Sequence, residues 1–152
     1  MKWLYQGTID HVSNYPLEEK WEFAFSCQKL YLLAKKFESP DLKNLAMDQF
    51  RQGCFQASLV PGAEETITVY QHTPLQSPFR RLVADLAARQ IMDPDNETDG
   101  TNYRAAFAAD ADFAMDVIRA IKQGVGGILF PDPTIQSGCQ YHAHSHGEVC
   151  NS

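Results

Sequence analysis

The sequence lacks the features that mark nucleic-acid-binding, membrane-spanning or exported proteins. Lysine and arginine number 13 against 19 aspartates and glutamates, the net charge is −6, and no long basic run occurs. Phosphate neutralisation requires clustered basic residues, so nucleic acid is not expected as a partner. No apolar run approaches the roughly 20 residues that span a bilayer. The segment from Met1 to Gly7 has neither an apolar core nor a cleavage site, so it does not resemble a signal peptide. We expect a cytoplasmic or nuclear protein that is not secreted and has no membrane partner.

Sequence motifs for common catalytic sites are missing as well. Neither the phosphate-binding pattern G-x-x-x-x-G-K-[ST] nor a G-x-G-x-x-G segment after a strand occurs. No G-x-S-x-G nucleophile elbow is present either. Asp110 and Asp112 are spaced for capping a helix rather than for pairing across a cleft. His11 and His72 are single residues near turns, which favours a surface or hydrogen-bonded histidine over a ligand. We therefore expect no enzyme activity.

The apolar residues recur at helical spacing, and no internal repeat or alternating strand pattern appears. A chain of 152 residues is long enough for one domain with its own core. The sequence thus predicts an all-α fold: a compact bundle of four to six short helices with an irregular C-terminal tail. We place the helical domain at residues 1–127 and a Cys/His-containing tail at residues 128–152.

The first two predicted helices form a hairpin. Acidic residues at 18 and 19 favour a helix start there. From Trp21 to Phe37 the apolar residues fall at helical spacing and form one stripe. Ser39 and Pro40 then supply an N-cap and a first-turn proline for a second helix that ends at about Phe50. We assign residues 51–61 to a connector.

Three further helices are predicted in the second half of the chain. The segment from Ala63 to Tyr70 contains β-branched residues, but Glu64 and Glu65 suit the first turn of a helix, so we favour a short helix. Ser77 and Pro78 repeat the capping pattern before a helix that ends at about Gln90. A polar loop then extends from Asp93 to Thr101, and the last helix spans about Asp112 to Gln123. Cys27 and Cys54 lie in helical, apolar surroundings and are expected to be core residues.

Metal-ligating residues are concentrated in the tail. Cys139, His142, His144, His146 and Cys150 lie within twelve residues, and thiolate and imidazole are the ligands that zinc prefers. The spacing favours a structural zinc on Cys139, His142, His144 and Cys150, in which His146 could replace either of the other histidines. Two alternatives stay open. In the first, the tail is disordered and its histidines are incidental. In the second, Cys139 and Cys150 form a disulfide, which a reducing cytosol disfavours.

Several segments resemble the fungal BTB/POZ domain. The block Trp3 to Ile9 resembles a segment late in that fold. The stretches Lys29–Phe37 and Leu42–Asp48 are similar to the helical pair that closes it. Val69–Pro74, Ser77–Leu86 and Asp112–Asp116 are similar to segments that follow. The likeness agrees in order and spacing and covers nearly the whole chain. Segments matching the first half of the fold, including its usual dimerisation helix, do not occur.

The resemblance implies a non-catalytic adaptor or scaffold that binds other proteins. Some BTB/POZ proteins connect substrates to cullin-type ubiquitin ligases, so that machinery is a candidate partner by resemblance only. Trp3, Tyr5 and Trp21 would lie where the missing half of the fold packs. We expect them to form an apolar partner-binding patch that supports homo-oligomers or binds another chain. The competing hypothesis is a small zinc-dependent binding or catalytic protein that uses the Cys139, His142, His144 and Cys150 cluster.

Overall fold

The computed structural model describes residues 9–97 and 100–126, and within these ranges the secondary structure is entirely helical. Six α-helices follow one another along the chain: α1 (Lys20–Ala34), α2 (Pro40–Ala57), α3 (Ala63–His72), α4 (Pro78–Met92), α5 (Arg104–Ala109) and α6 (Ala111–Gly124). Short 3₁₀ turns occupy Val12–Asn14, Leu17–Glu19 and Thr101–Tyr103. The all-α prediction is confirmed.

Side-chain caps begin three of the helices where the sequence predicted them. The Ser39 hydroxyl oxygen accepts a hydrogen bond from the backbone N–H of Leu42 at the start of α2. The Ser77 hydroxyl accepts from the N–H of Phe79 at the start of α4, and the Asp110 carboxylate accepts from Asp112 at the start of α6. Each cap satisfies an N–H group that has no partner inside its own helix.

The segment that propensity alone would assign to a strand is α3. The side chain of Glu65 accepts a hydrogen bond from the N–H of Gly62 at 3.1 Å, which closes the first turn. Glu64 and Glu65 also place negative charge at the positive end of the helix dipole. These local contacts, together with burial of Val69 and Tyr70, outweigh the β-propensity of the sequence.

The most extensive contact between two described helices is that of α1 with α2, which form the predicted hairpin. Gly53 of α2 faces Ala24 of α1, and a Cβ atom added to Gly53 would lie 2.6 Å from the Cβ of Ala24. The two backbones therefore approach so closely that only glycine fits at this position. Cys27 and Cys54 are buried beside this crossing as free thiols, as the sequence predicted. Burial raises the pKa of each thiol to about 12, so neither is a nucleophile at neutral pH.

Three sequence predictions need correction. Residues 51–57 are not a connector, because α2 continues to Ala57. α1 ends at Ala34, so Phe37 leaves the predicted buried stripe and is 57% exposed. Helix α5 was missed: its six residues are mostly alanine and carry too little apolar periodicity to be recognised. In the part of the chain that the structure describes, no helix is both long and apolar enough to cross a bilayer.

Candidate functional site

An open groove with a volume of about 1160 Å³ lies between α2 and α4. Phe50 of α2 packs edge-on against Phe79 of α4, with ring centroids 4.9 Å apart. Every groove residue except Asp48 follows one of these two rings along the chain, either in the same helix or in the segment just after it. We call this surface the α2–α4 groove. Its lining residues are Asp48, Arg51, Gln52, Cys54, Phe55, Ser58, Leu59, Val60, Leu82, Leu86, Arg89, Gln90, Asp93, Asp95, Asn96 and Glu97.

The α2 wall of the groove exposes two large apolar side chains. Phe55 is 84% exposed and Leu59 is 49% exposed. The backbone fixes both, because Ser58 adopts a left-handed conformation at the end of α2. The N–H of Leu59 then donates to the carbonyl of Cys54, and the N–H of Ser58 donates to that of Phe55, in the manner of a Schellman cap. The opposite wall contributes the half-buried side chains of α4.

Charge is distributed unevenly around the groove. On the α2 side, Asp48 and Arg51 pair with each other at 3.6 Å. On the other side, Asp93, Asp95 and Glu97 accompany a single basic residue, Arg89. The Asp93 carboxylate accepts a hydrogen bond from the N–H of Asp95 at 3.0 Å, which shapes this turn. The groove thus has an acidic rim beside an apolar wall.

A polar cluster in the described interior is built around Arg80, which is 7% exposed. Its Nη2 donates to the carbonyl oxygens of Tyr70 and Thr73 at 2.6 and 2.5 Å, and its Nε donates to the Thr73 hydroxyl at 3.2 Å. Its guanidinium also lies over the Tyr70 ring, 4.7 Å from the centroid. Both carbonyls lie at the C-terminal end of α3, where the helix itself offers no donors. Arg80 is thus a structural cap on α3.

The tyrosine hydroxyl in this cluster is held in its neutral form. The Tyr70 hydroxyl donates to the Asp116 carboxylate at 2.8 Å. Burial is the larger cause that raises the pKa of Tyr70, and the hydrogen bond to Asp116 is the second. A hydroxyl that stays protonated and donates to a carboxylate does not act as a base at neutral pH. The cluster therefore joins α3, α4 and α6.

Most residues of the predicted metal and partner sites lie outside the described residues. These are the metal candidates Cys139, His142, His144, His146 and Cys150, and the aromatics Trp3 and Tyr5. Trp21 is described: it is half-buried and packs against the core. Among residues 9–97 and 100–126, no three histidine, cysteine or acidic side chains come together in a way that could hold a metal ion.

The two isolated histidines make ordinary contacts. The Nδ1 of His11 lies 3.2 Å from the Nε2 of Gln49, and the Nδ1 of His72 lies 2.8 Å from the carbonyl oxygen of Thr68. Asp110 caps α6 as predicted. Arg80 belongs to the internal cluster, and Arg81 lies 3.9 Å from Asp85 across one helical turn. For the two histidines and Asp110, these contacts agree with the structural role that the sequence predicted.

Sequence reasoning did not identify the α2–α4 groove. The signal was present, because the core stripe of α2 continues from Phe50 to Cys54 with a spacing of four residues. A helix continued through that spacing turns Phe55 away from the core. An aromatic residue on the outer face of a buried helix is the pattern that would have indicated a binding surface.

Comparisons with known proteins place the chain in no group. No protein-family model matches it, and no match to it is found among the curated proteins or the solved structures.

Proposed function

We propose that this chain is a non-catalytic protein-binding module, an adaptor or scaffold whose docking surface is the α2–α4 groove. The observation that carries the proposal is the exposed apolar wall of the groove, with Phe55 84% exposed beside Leu59. Exposing large apolar side chains to water is energetically unfavourable. A contiguous apolar wall on a protein surface is therefore typical of an interaction surface. The resemblance to fungal BTB/POZ adaptors supports the same function, with cullin-type ubiquitin ligase machinery as the partner that it suggests.

Photo-crosslinking tests the docking surface. With p-benzoylphenylalanine at Phe55, irradiation of cells that express the chain should give discrete protein adducts, because a docked partner would cover that ring. Ile118 on α6 is 56% exposed and lies outside the groove, so the same probe there is the matched control. Mass spectrometry of the adducts identifies the crosslinked partner segment. Equal adducts at the two positions, or none at Phe55, would contradict the groove as the docking surface.

We further propose that the tail holds a structural zinc on Cys139, His142, His144 and Cys150, supported by the spacing of these residues in the sequence. The chain purified with zinc should contain about one zinc ion, and the double variant Cys139→Ser/Cys150→Ser should contain none. Elemental analysis measures the metal content. Circular dichroism of the helices should not change on chelation, because all the ligands follow α6. Wild-type chain without bound zinc would refute the site. Self-association through Trp3, Tyr5 and Trp21 stays a separate prediction.

A further inference from the structure

We infer that the α2–α4 groove binds a basic amphipathic helix of a partner protein, an inference that rests on the proposed docking function. The helix would place an apolar stripe against Phe55 and Leu59 and a row of lysines or arginines against the acidic rim. Three properties of the groove support this occupant: its apolar wall, the sign of its rim and its size.

The apolar contribution comes from both walls. Leu82 and Leu86 of α4 are half-buried and lie across the groove from Phe55 and Leu59. Leu82 and Leu86 are four residues apart, so they share one face of α4. Two helical walls with side chains in rows offer the ridges and grooves into which a third helix packs. Recognition of an amphipathic helix by such a groove is a recurring mode, read through apolar residues spaced three or four apart.

The rim selects the charge of the partner. Asp48 and Arg51 neutralise each other, whereas Asp93, Asp95 and Glu97 are accompanied only by Arg89 among the charged residues of that side. All three acids are exposed, and the whole chain carries a net charge of −6. A basic flank on the partner helix would be attracted at long range by the net charge of the chain and at short range by the rim. An acidic flank would be repelled.

The size of the groove fits a helix. Three turns of α-helix are about 16 Å long and 10 Å across, which corresponds to roughly 1,300 Å³. The groove volume of about 1160 Å³ is of the same order. A peptide that binds by strand addition would need the unpaired edge of a sheet, and the described ranges contain only helices and turns.

A second copy of the chain is a poorer occupant for this groove. Docking two copies through it would bring two acidic rims and two chains of net charge −6 together. Like charges placed opposite each other weaken an interface. A partner of opposite charge avoids this repulsion.

Designed peptides test the inference on the full chain. The probe is a fluorescein-labelled 18-residue peptide (about five helical turns) with leucines spaced three and four apart and lysines on both flanks. One comparison peptide has glutamates in place of the lysines, and another has the same composition in scrambled order. Fluorescence anisotropy should show that the basic amphipathic peptide binds at least roughly tenfold more tightly than either comparison peptide. Its affinity should fall with added salt.

Two triple variants with the same change in charge localise the binding. Asp93→Asn/Asp95→Asn/Glu97→Gln should weaken binding about tenfold, because three partly screened charge pairs are lost. Glu18→Gln/Glu19→Gln/Glu22→Gln neutralises three exposed acids outside the groove and should change the affinity less than about twofold. Leu59→Asp should abolish binding, and circular dichroism checks that each variant keeps its helices.

The outcomes separate this inference from the proposed function. Equal binding of the acidic peptide, or equal loss in both triple variants, overturns the basic-helix inference. Phe55 adducts whose partner segment is acidic or extended overturn it as well, while they leave the docking function standing. Absence of Phe55 adducts overturns the docking function itself. Sedimentation that shows a dimer broken by Leu59→Asp would identify a second copy as the occupant and refute the inference.

Discussion

Replacing Arg80 by methionine is expected to lower the free energy of unfolding by about 3 kcal/mol. Methionine fills a similar space but offers no donor, so the carbonyl oxygens of Tyr70 and Thr73 would lose their charged hydrogen bonds. A buried carbonyl left without a partner costs about 1–3 kcal/mol. The gain from no longer burying the guanidinium charge offsets part of this loss. Urea denaturation followed by far-UV circular dichroism measures the change.

The neighbouring residue is the control for that experiment. Arg81 has the same side chain, but it is 78% exposed and only approaches Asp85, at 3.9 Å. Exposed ion pairs of this kind contribute about 0.2–1 kcal/mol. Arg81→Met should therefore change the free energy of unfolding by less than about 1 kcal/mol. Similar losses in the two variants would show that Arg80 does not act as the cap on α3.

Gly53→Ala should destabilise the protein by about 1–3 kcal/mol, although alanine is the better helix former. Its Cβ would lie 2.6 Å from the Cβ of Ala24, and also close to the Cα of that residue at 3.3 Å. Neither atom belongs to a flexible side chain, so α1 and α2 must move apart. That movement loosens the packing of the whole hairpin. Thermal or urea unfolding of the variant measures the loss.

A second helical glycine supplies the opposite expectation. Gly124 ends α6, and a Cβ built there meets no atom within 4 Å. Gly124→Ala should therefore stabilise the protein, by up to about 1 kcal/mol, because alanine loses less backbone entropy on folding. The two substitutions are chemically identical, so opposite signs isolate the close approach at Gly53. A stabilising Gly53→Ala would mean that the helices separate without cost.

Helix starts were the most predictable part of the fold. Ser39, Ser77 and Asp110 were assigned from sequence alone, because a cap acts over two or three residues and its signal is local. Helix ends were less predictable. α2 ends at a left-handed Ser58, a conformation that a glycine in the sequence would have indicated. The helix therefore continues past its predicted end at Phe50. The exposure of Phe37 likewise depends on where α1 ends.

The candidate site depended on tertiary geometry and so escaped sequence reasoning. The wall containing Phe55 and the wall containing Leu86 are about thirty residues apart in the chain, and tertiary packing, including that of Phe50 on Phe79, brings their helices together. The acidic rim was recognised as a polar loop, but its position beside an apolar wall could not be read from its composition. Arg80 shows the same limit, because its partners belong to the end of another helix.

Chemical modification of a buried thiol in the hairpin can report how often the hairpin opens locally. A cysteine reacts with alkylating reagents as the thiolate, and burial suppresses that form at Cys27 and Cys54. Cys54 also lines the α2–α4 groove, whereas Cys27 does not, so modification of Cys27 at neutral pH must pass through a transient local opening. When closing outpaces the reagent, the rate of modification gives the free energy of that local opening. The side chain of Cys27, which is part of the core, would thus record how often the hairpin opens in the native protein.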